Sequence, residues 1–404
     1  MRKIDTRNFK RATRSTPREI NRQIALNLLR EHQPISRADL ARRMEVGRGV
    51  VTSLVNELIA EGVVEEGPTI DAPRGRRPQM LYVRTRDRLV VAVDVRLSQT
   101  SLMLADFGGT PIGQDTFRTP LEPAELIEEL GRRIDRLRET QAAGACEGLG
   151  IVVPGMVDPR TGRVLNAPQL GWRDVEVREA LEARTGLPVQ IENAALACAL
   201  AQMWLGERGE GSGDFVYVTV SDGVGAGVVV NGELVRGHDS TAGEFGHVPI
   251  DPDGPRCLCG ARGCWEAYTA NRATLARYLG QPLGAPTPQA LLQSSVLGIA
   301  DVIARAKSGD ARAGAALAET GRYLGLGLAT IVNALNPARI IVGGEITAAW
   351  DRIEGPIRAE VDTRALTPAA AATPILPEQA GVSPRLRGAT ALVTAPAFAA
   401  PRVA

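Results

Sequence analysis

A chain of 404 residues with 44% hydrophobic content is long enough for two or three globular units, and its formal net charge is only +1. No run approaches the ~20 apolar residues needed to cross a bilayer, and the basic opening over residues 1–22 lacks an apolar stretch of signal-peptide length. A membrane-spanning protein is thereby excluded and a cytoplasmic one expected. The near-neutral total hides an asymmetry: residues 1–88 hold 19 Lys+Arg against 11 Asp+Glu, a net of +8, which leaves −7 for the remaining 316 residues. A basic first fifth on an acidic remainder suggests a polyanion-binding module joined to something else.

In chain order, residues 1–16 form a basic arm. Over 17–32, Ile20, Ile24 and Leu28 recur on one helical face, and Pro34 ends that helix. Ser36 is placed as an N-cap, with Asp39 three positions on, opening a short helix through Arg43. After a turn over 44–47, Val51, Leu54, Val55 and Leu58 recur at i, i+3, i+4 and i+7. The opposite side carries Arg48, Thr52, Ser53 and Asn56. Two short helices around a tight turn, the second with a small polar outer face, predict a helix-turn-helix that places its second helix in the major groove of double-stranded DNA. Gly47 and Gly49 put two glycines in the first turn of that helix, each costing roughly 1 kcal/mol, so it is expected to firm up on DNA. Residues 62–67 and 79–83 read as two strands of a wing. Between them Arg74, Arg76 and Arg77 form a stretch narrow enough to follow the minor groove. The winged helix-turn-helix is bounded at 17–86.

From Leu89 the texture changes. Strands are expected over 89–95, 100–105 and 148–153, with a hairpin turn at 106–109 and a helix from 123 to about 139. Further strands fall at 214–220, 225–230 and 339–342, giving an α/β architecture. Cys146 and Cys198, among apolar neighbours, read as core residues, and His32 and His238 as surface groups. Residues 367–377, rich in Ala and Pro, read as a loop, and 395–404 as a frayed tail.

The most specific signal is Gly243-Glu244-Phe245-Gly246-His247 followed by Cys257-Leu258-Cys259-Gly260-Ala261-Arg262-Gly263-Cys264-Trp265-Glu266. Cysteines at C-x-C spacing, a third beyond a tight turn and an imidazole from upstream can complete a tetrahedral Cys3His site. Its soft, closed ligand set of His247, Cys257, Cys259 and Cys264 favours one structural zinc ion per chain. This segment resembles the signature of the ROK family, which contains bacterial sugar kinases and sugar-responsive transcriptional repressors. The pattern is G-E-x-G-H, nine residues, then C-x-C-G-x-x-G-C-x-E, and every defined position is present. The block ahead of it resembles the winged helix of ROK repressors, such as those answering to xylose or N-acetylglucosamine. The resemblance implies a two-lobed, actin-like (ribonuclease H-like) sugar kinase fold over 87–394, with a cleft between the lobes.

Three features of active ROK kinases are altered. The D-x-G-G-T loop reads Asp94-Val95-Arg96-Leu97-Ser98, placing Arg and Leu where small residues let amides approach phosphate. The E-N-D triplet reads Glu192-Asn193-Ala194, and a methyl group cannot accept a proton. The G-T-G-x-G loop reads Ser221-Asp222-Gly223-Val224-Gly225, which sets a carboxylate against phosphate oxygens. Asp106-Phe107-Gly108-Gly109-Thr110 matches the first pattern superficially but falls at the hairpin turn. Residues 333–344 resemble the stretch flanking adenosine in the kinases and are read as retained scaffold.

The sugar-handling positions survive. By resemblance, Gly155, Asn193, Glu244, His247 and Glu266 line the cleft, and paired carboxylates, an amide and an imidazole offer the donors and acceptors that a polyol needs. His247 would place one ring nitrogen on the metal and the other toward the sugar. These readings predict a sugar-responsive DNA-binding transcriptional regulator, a repressor of carbohydrate genes with no catalytic residues. Its expected partners are operator double-stranded DNA and a sugar or sugar-phosphate effector, and its expected assembly is a homodimer or homotetramer. The alternative is an ATP-dependent ROK hexose kinase with an added DNA-binding head.

Overall fold

The computed structural model of the protein describes residues 16–69, 78–141, 144–206, 213–284, 297–379, 381 and 383–399. The arm up to residue 15, and Arg74, Arg76 and Arg77 at the wing, lie outside the described residues.

The head opens with helix α1 (Thr16–His32), which buries Ala25, Leu26 and Leu29. A short strand β1 (Ile35–Ser36) leads into α2 (Arg37–Met44). Ser36 caps that helix: its Oγ accepts from the Asp39 amide at 3.1 Å and donates to the Asp39 carboxylate at 2.7 Å. Helix α3 (Arg48–Ala60) buries Val51, Leu54, Val55 and Leu58, the set its spacing predicts. The start of this helix corrects the sequence reading. Gly47 is its N-cap, extended at φ −64° and ψ 144°, so only Gly49 lies inside the first turn and only one glycine weakens it. Strands β2 (Val64–Thr69) and β3 (Gln79–Val83) pair antiparallel as the wing, and β1 joins the other edge of β3.

The first lobe is a sheet begun by the meander β4 (Arg88–Val95), β5 (Gln99–Asp106) and β6 (Pro111–Arg118). Residues 106–110 turn between β5 and β6, which keeps Asp106 and its glycines away from the cleft. Helix α4 (Pro123–Gln141) packs on this sheet, and β7 (Ala145–Val153) returns parallel to β4. Short strands β8 (Met156–Asp158), β9 (Arg163–Ala167) and β10 (Trp172–Glu176) form a separate small sheet. Helix α5 (Val177–Thr185) then leads to β11 (Val189–Asn193), which completes the order β11-β7-β4-β5-β6 and runs directly into α6 (Ala194–Leu205).

The second lobe repeats the plan. Strands β12 (Phe215–Val220), β13 (Val224–Val230) and β14 (Glu233–Leu234) form its meander. Helices α7 (Trp265–Thr269), α8 (Asn271–Leu279), α9 (Ile299–Lys307) and α10 (Ala311–Leu335) follow. Strand β15 (Arg339–Gly343) lies parallel to β12; after α11 (Trp350–Arg364) and α12 (Pro368–Ala371), β16 (Ile375–Pro377) completes the order β14-β13-β12-β15-β16. Every residue of β12 is buried, because α6 covers one face of this sheet and α10 the other. Residues 367–377, expected as a loop, thus hold a helical turn and an edge strand that borrows its hydrogen bonds from β15.

The last helix, α13 (Pro384–Phe398), crosses back to lie on β4 and β7 beside α6. Residues 395–398, expected as part of a frayed tail, form its final turn, because Phe398 is buried in the core of the head beside Leu29, Leu58 and Phe107. Asn27 Nδ2 donates to the Phe398 carbonyl at 2.8 Å. Arg30 donates to the Trp204 carbonyl at 2.7 Å, and its guanidinium sits 4.9 Å from the Trp204 ring centroid and 5.1 Å from that of Phe398. Burial lowers the pKa of Arg30, so the junction holds a partly desolvated cation between head and lobes. Phe398→Ala should cost about 3–5 kcal/mol at this junction. Scanning calorimetry should show the head melting at lower temperature while the transition of the lobes is kept.

Candidate functional site

Gly155, Asn193, Glu244, His247 and Glu266 all line one cavity between the lobes, together with Gln169, Leu258 and Arg385. Asn193 caps α6: its Oδ1 accepts from the Leu196 amide at 2.9 Å, which turns the Nδ2 donor group toward the cavity. Gly155 sits at φ 88°, and a Cβ there would lie 2.2 Å from the Asn166 carbonyl oxygen, so glycine alone keeps this wall open. Glu266 is buried and already engaged: it accepts from the Val224 amide at 3.0 Å and pairs with Arg272 at 3.0 Å. Burial raises the pKa of Glu244, as does neighbouring Glu266, against the opposing pull of His247. The Arg272 partner escapes sequence reasoning, because the break between α7 and α8 folds it back onto Glu266.

Beside this cavity His247, Cys257, Cys259 and Cys264 bring one ligand atom each to within 4.8 Å of one another. His247 presents Nδ1 at 3.7 Å from Cys257 Sγ, while its Nε2 faces the Glu244 carboxylate at 3.7 Å. The ring therefore points one nitrogen at the thiol cluster and the other at the cavity. Cys259 and Cys264 Sγ stand 3.7 Å apart, the separation of two ligands set tetrahedrally at ~2.3 Å from one ion. A tight loop makes this possible: Gly260 N donates to the Cys257 carbonyl and Cys257 N to that of Ala261. Burial pushes the Cys257 and Cys264 thiols up, so without an ion they stay protonated; a bound cation would convert them to thiolates. The cluster can hold a metal ion.

Of the altered kinase positions, Ala194 lines the cavity beside Asn193 with no acid in its place. Leu97 does not occupy phosphate space as the sequence reading expects; it is buried in the core of the first lobe. Arg96 alone reaches inward. Its Nε contacts Asp94 at 2.9 Å, and its Nη1 pairs with Glu345 of the second lobe. Burial opposes the charge on Arg96, yet Asp94 and Glu345 raise its pKa. Asp222 has its pKa raised by burial and by Glu345 against three arginines. A second cavity, lined by Cys198, Tyr217, Glu345, Glu378 and Arg385, continues behind Thr219 and Ser221.

On the head, Arg48, Thr52, Ser53 and Asn56 share the exposed face of α3. Two arginines missed by the sequence reading flank it. Arg18 donates to Ser53 Oγ at 3.4 Å and pairs with Glu57; Arg37 donates to Asn56 Oδ1 at 3.2 Å and pairs with Glu66.

The model of the ROK family matches residues 90–395. This chain belongs to the ROK family. Among ROK proteins, the xylose repressor of Bacillus spizizenii is 30% identical over 381 residues, covering 93% of this chain and 95% of that protein. The crystal structure of a ROK family transcriptional regulator, a homologue of the Escherichia coli MLC protein, superposes with a TM-score of 0.78 at 26% identity, covering 95% of this chain and 97% of that one. A ROK family glucokinase from Streptomyces griseus, in complex with glucose and AMPPNP, has a TM-score of 0.65 at 28% identity; 98% of its chain matches only 75% of this one. The two-lobed kinase fold and the winged head are thus both present. Among the described residues, no helix is long and apolar enough to cross a membrane.

The second cavity also generates a pH dependence. Burial pushes the Glu378 carboxyl up to about 7, against the hydrogen bond it accepts from Tyr217 and the charge of Arg387. The unfolded chain loses this proton near the ordinary value of 4.5, so between there and about 7 the folded state binds more protons and stability falls as pH rises. Melting temperatures from pH 5 to 8 should fall less for Glu378→Gln than for the natural chain.

Proposed function

We propose that this protein is a sugar-responsive DNA-binding transcriptional regulator, a repressor of carbohydrate genes that lacks phosphoryl transfer activity. The observation that carries this reading is the conjunction of a winged head with a ROK cleft that keeps Asn193, Glu244, His247 and Glu266 but has Ala194 in place of the base. Loss of a general base alone costs on the order of 10²–10⁴ in rate. The names of the xylose repressor and of the ROK transcriptional regulator support it.

In this reading Arg48, Thr52, Ser53 and Asn56 face the major groove of operator DNA, and Arg74, Arg76 and Arg77 follow the adjacent minor groove. Two heads of a homodimer or homotetramer meet a twofold operator. The effector is a sugar or sugar phosphate held by Gly155, Asn193, Glu244, His247 and Glu266, and it acts by preferring one arrangement of the lobes over another. The metal is zinc, one per chain, on His247, Cys257, Cys259 and Cys264; three thiolates and an imidazole suit it, and four protein ligands leave no open position. It supplies rigidity, fixing the ring of His247 so that Nε2 stays aimed at the ligand. The protein works in the cytoplasm.

The kinase alternative has the likeness to the glucokinase in its favour and is tested by coupled ADP release with a panel of hexoses, where no turnover above background is expected. Fluorescence anisotropy on DNA flanking the protein's own gene tests the regulator. Glu244→Ala should bind that DNA with unchanged affinity but lose its response to the effector sugar; a normal response would remove Glu244 from the ligand site. Stripping the metal with a chelator, or Cys264→Ser, should reduce zinc from one per chain toward none. The same treatments should lower the melting temperature and abolish the sugar response together.

A further inference from the structure

Two ion pairs cross the cleft in opposite senses. The first lobe contributes Arg96, from the loop between β4 and β5, to Glu345 at the end of β15 in the second lobe. The second lobe contributes Arg236, just past β14, to Glu192 on β11 of the first. Both are anchored from behind. Asp94, 2% exposed, holds Arg96 Nε at 2.9 Å and is itself held by Arg385 at 2.6 Å. Thr119 Oγ1 donates to the Arg96 carbonyl at 2.7 Å, fixing the loop. The other oxygen of Glu345 accepts from Asn271 Nδ2 at 3.0 Å. Glu192, 1% exposed, accepts from the amide of Asn193 at 2.9 Å, so the second pair is tied directly to the residue that caps α6 and faces the ligand.

We infer that Arg96 and Glu345, seconded by Arg236 and Glu192, are positioning residues: a two-point clasp that holds the lobes closed around the sugar cavity without a nucleotide. A lone surface pair stabilises little. Here the flexible partner on each side is matched to one already immobilised, so little side-chain freedom is lost on closing. The Arg96 and Glu345 side chains are 31% and 33% exposed, so the pair is within reach of salt screening, which an apolar seam would resist. The clasp occupies the place where the resemblance to the kinases puts a phosphate-approaching loop, and Arg96 lines the second cavity, whose Thr219, Ser221 and Arg385 also line the sugar cavity. Its part in sugar affinity rests on the proposed function; its part in closure does not.

The test uses full-length, zinc-loaded protein and the variants Arg96→Ala, Glu345→Gln and the pair combined, each first checked for metal content and helical signal. Hydrogen exchange read by mass spectrometry reports closure without any ligand. Each single variant should speed exchange at the β11–α6 junction and at the turn before Val224, and the double variant should be no faster than the worse single one. Calorimetric titration with D-xylose and N-acetyl-D-glucosamine should show about tenfold weaker binding in the single variants for whichever sugar binds, with Arg96→Lys partly restoring it. It should also show an affinity that falls with added salt in the natural chain and falls less steeply in Glu345→Gln, which keeps only the Arg236–Glu192 pair. Unchanged exchange in both single variants, or effects that simply add in the double variant, overturn the clasp. If neither sugar binds the natural chain, the effector reading is at fault, and the exchange result still decides the clasp.

Discussion

The close contact of α6 with α13 is the constraint on which the rest of the molecule depends. The two helices fill the space between the sheets, α6 against the second and α13 against the first, and their shared face is made of Ala, Gly and Leu. At Gly388 an added Cβ would come within 2.4 Å of the Ala197 carbonyl oxygen, so the backbones nearly touch. Such packing has no slack, and interiors without slack move as units rather than deform. The ends of the pair are where the function lies. At one end Asn193 and Arg385 reach the cavity; at the other, Trp204 and Phe398 receive Arg30 of the head. A rise of ~1.5 Å per residue makes these helices roughly 20 Å long. The cleft and the DNA-facing head are therefore linked by two rigid elements, and by short ones.

The cluster of His247 and three cysteines sets the other wall. The regular structure of the segment from Phe245 to Cys264 is one short turn of helix and two isolated bridges, at Pro249–Cys264 and Arg256–Arg262, supplemented by loop hydrogen bonds such as that from the Ile250 amide to the Gly263 carbonyl at 2.9 Å. Yet this segment must present Glu244 and His247 at fixed angles. A metal ion held by four ligands drawn from both ends of it would add to that order, and the imidazole would carry it into the cavity, since its two nitrogens face opposite ways. Glu266 needs no such help, being buried and clamped by Arg272 and the Val224 amide. The two carboxylates of the site thus have different supports: Glu266 has an ion pair, and Glu244 adjoins a His247 that belongs to a cluster able to hold a metal ion.

How much of this could be read beforehand depended on range. The i, i+3, i+4, i+7 set of α3, the Ser36 cap and the Cys3His spacing are local patterns, and each carries its physical cause within one short stretch of chain, the longest running from His247 to Cys264. Helix α13 was invisible: buried nearly all round and built largely of Ala, Thr and Pro, it has no polar face to mark its period, and two prolines suggest a loop. Leu97 and Arg96 look equally obstructive in sequence, but Leu97 turns to the core and Arg96 to Glu345, 249 residues away. No spacing rule reaches that far. The Arg272–Glu266 pair was hidden by the kink between two short helices. What the sequence lacked in each case was the third dimension, and the errors fall where tertiary packing overrides local preference.

The junction at Arg30 shows why a modest change in the cleft can matter at the head. Its guanidinium is pressed between Trp204 and Phe398, with Nε buried and no partner for it among the described residues. A partly buried cation with an unmet donor is a costly arrangement, compensated by the Trp204 carbonyl and by the two rings. Both compensating groups belong to the helices that begin at the cleft. Any shift of α6 or α13 would alter those contacts directly, so the position of the head is coupled to that of the two helices. A ligand can shift the balance between two such positions only by its difference in affinity for them.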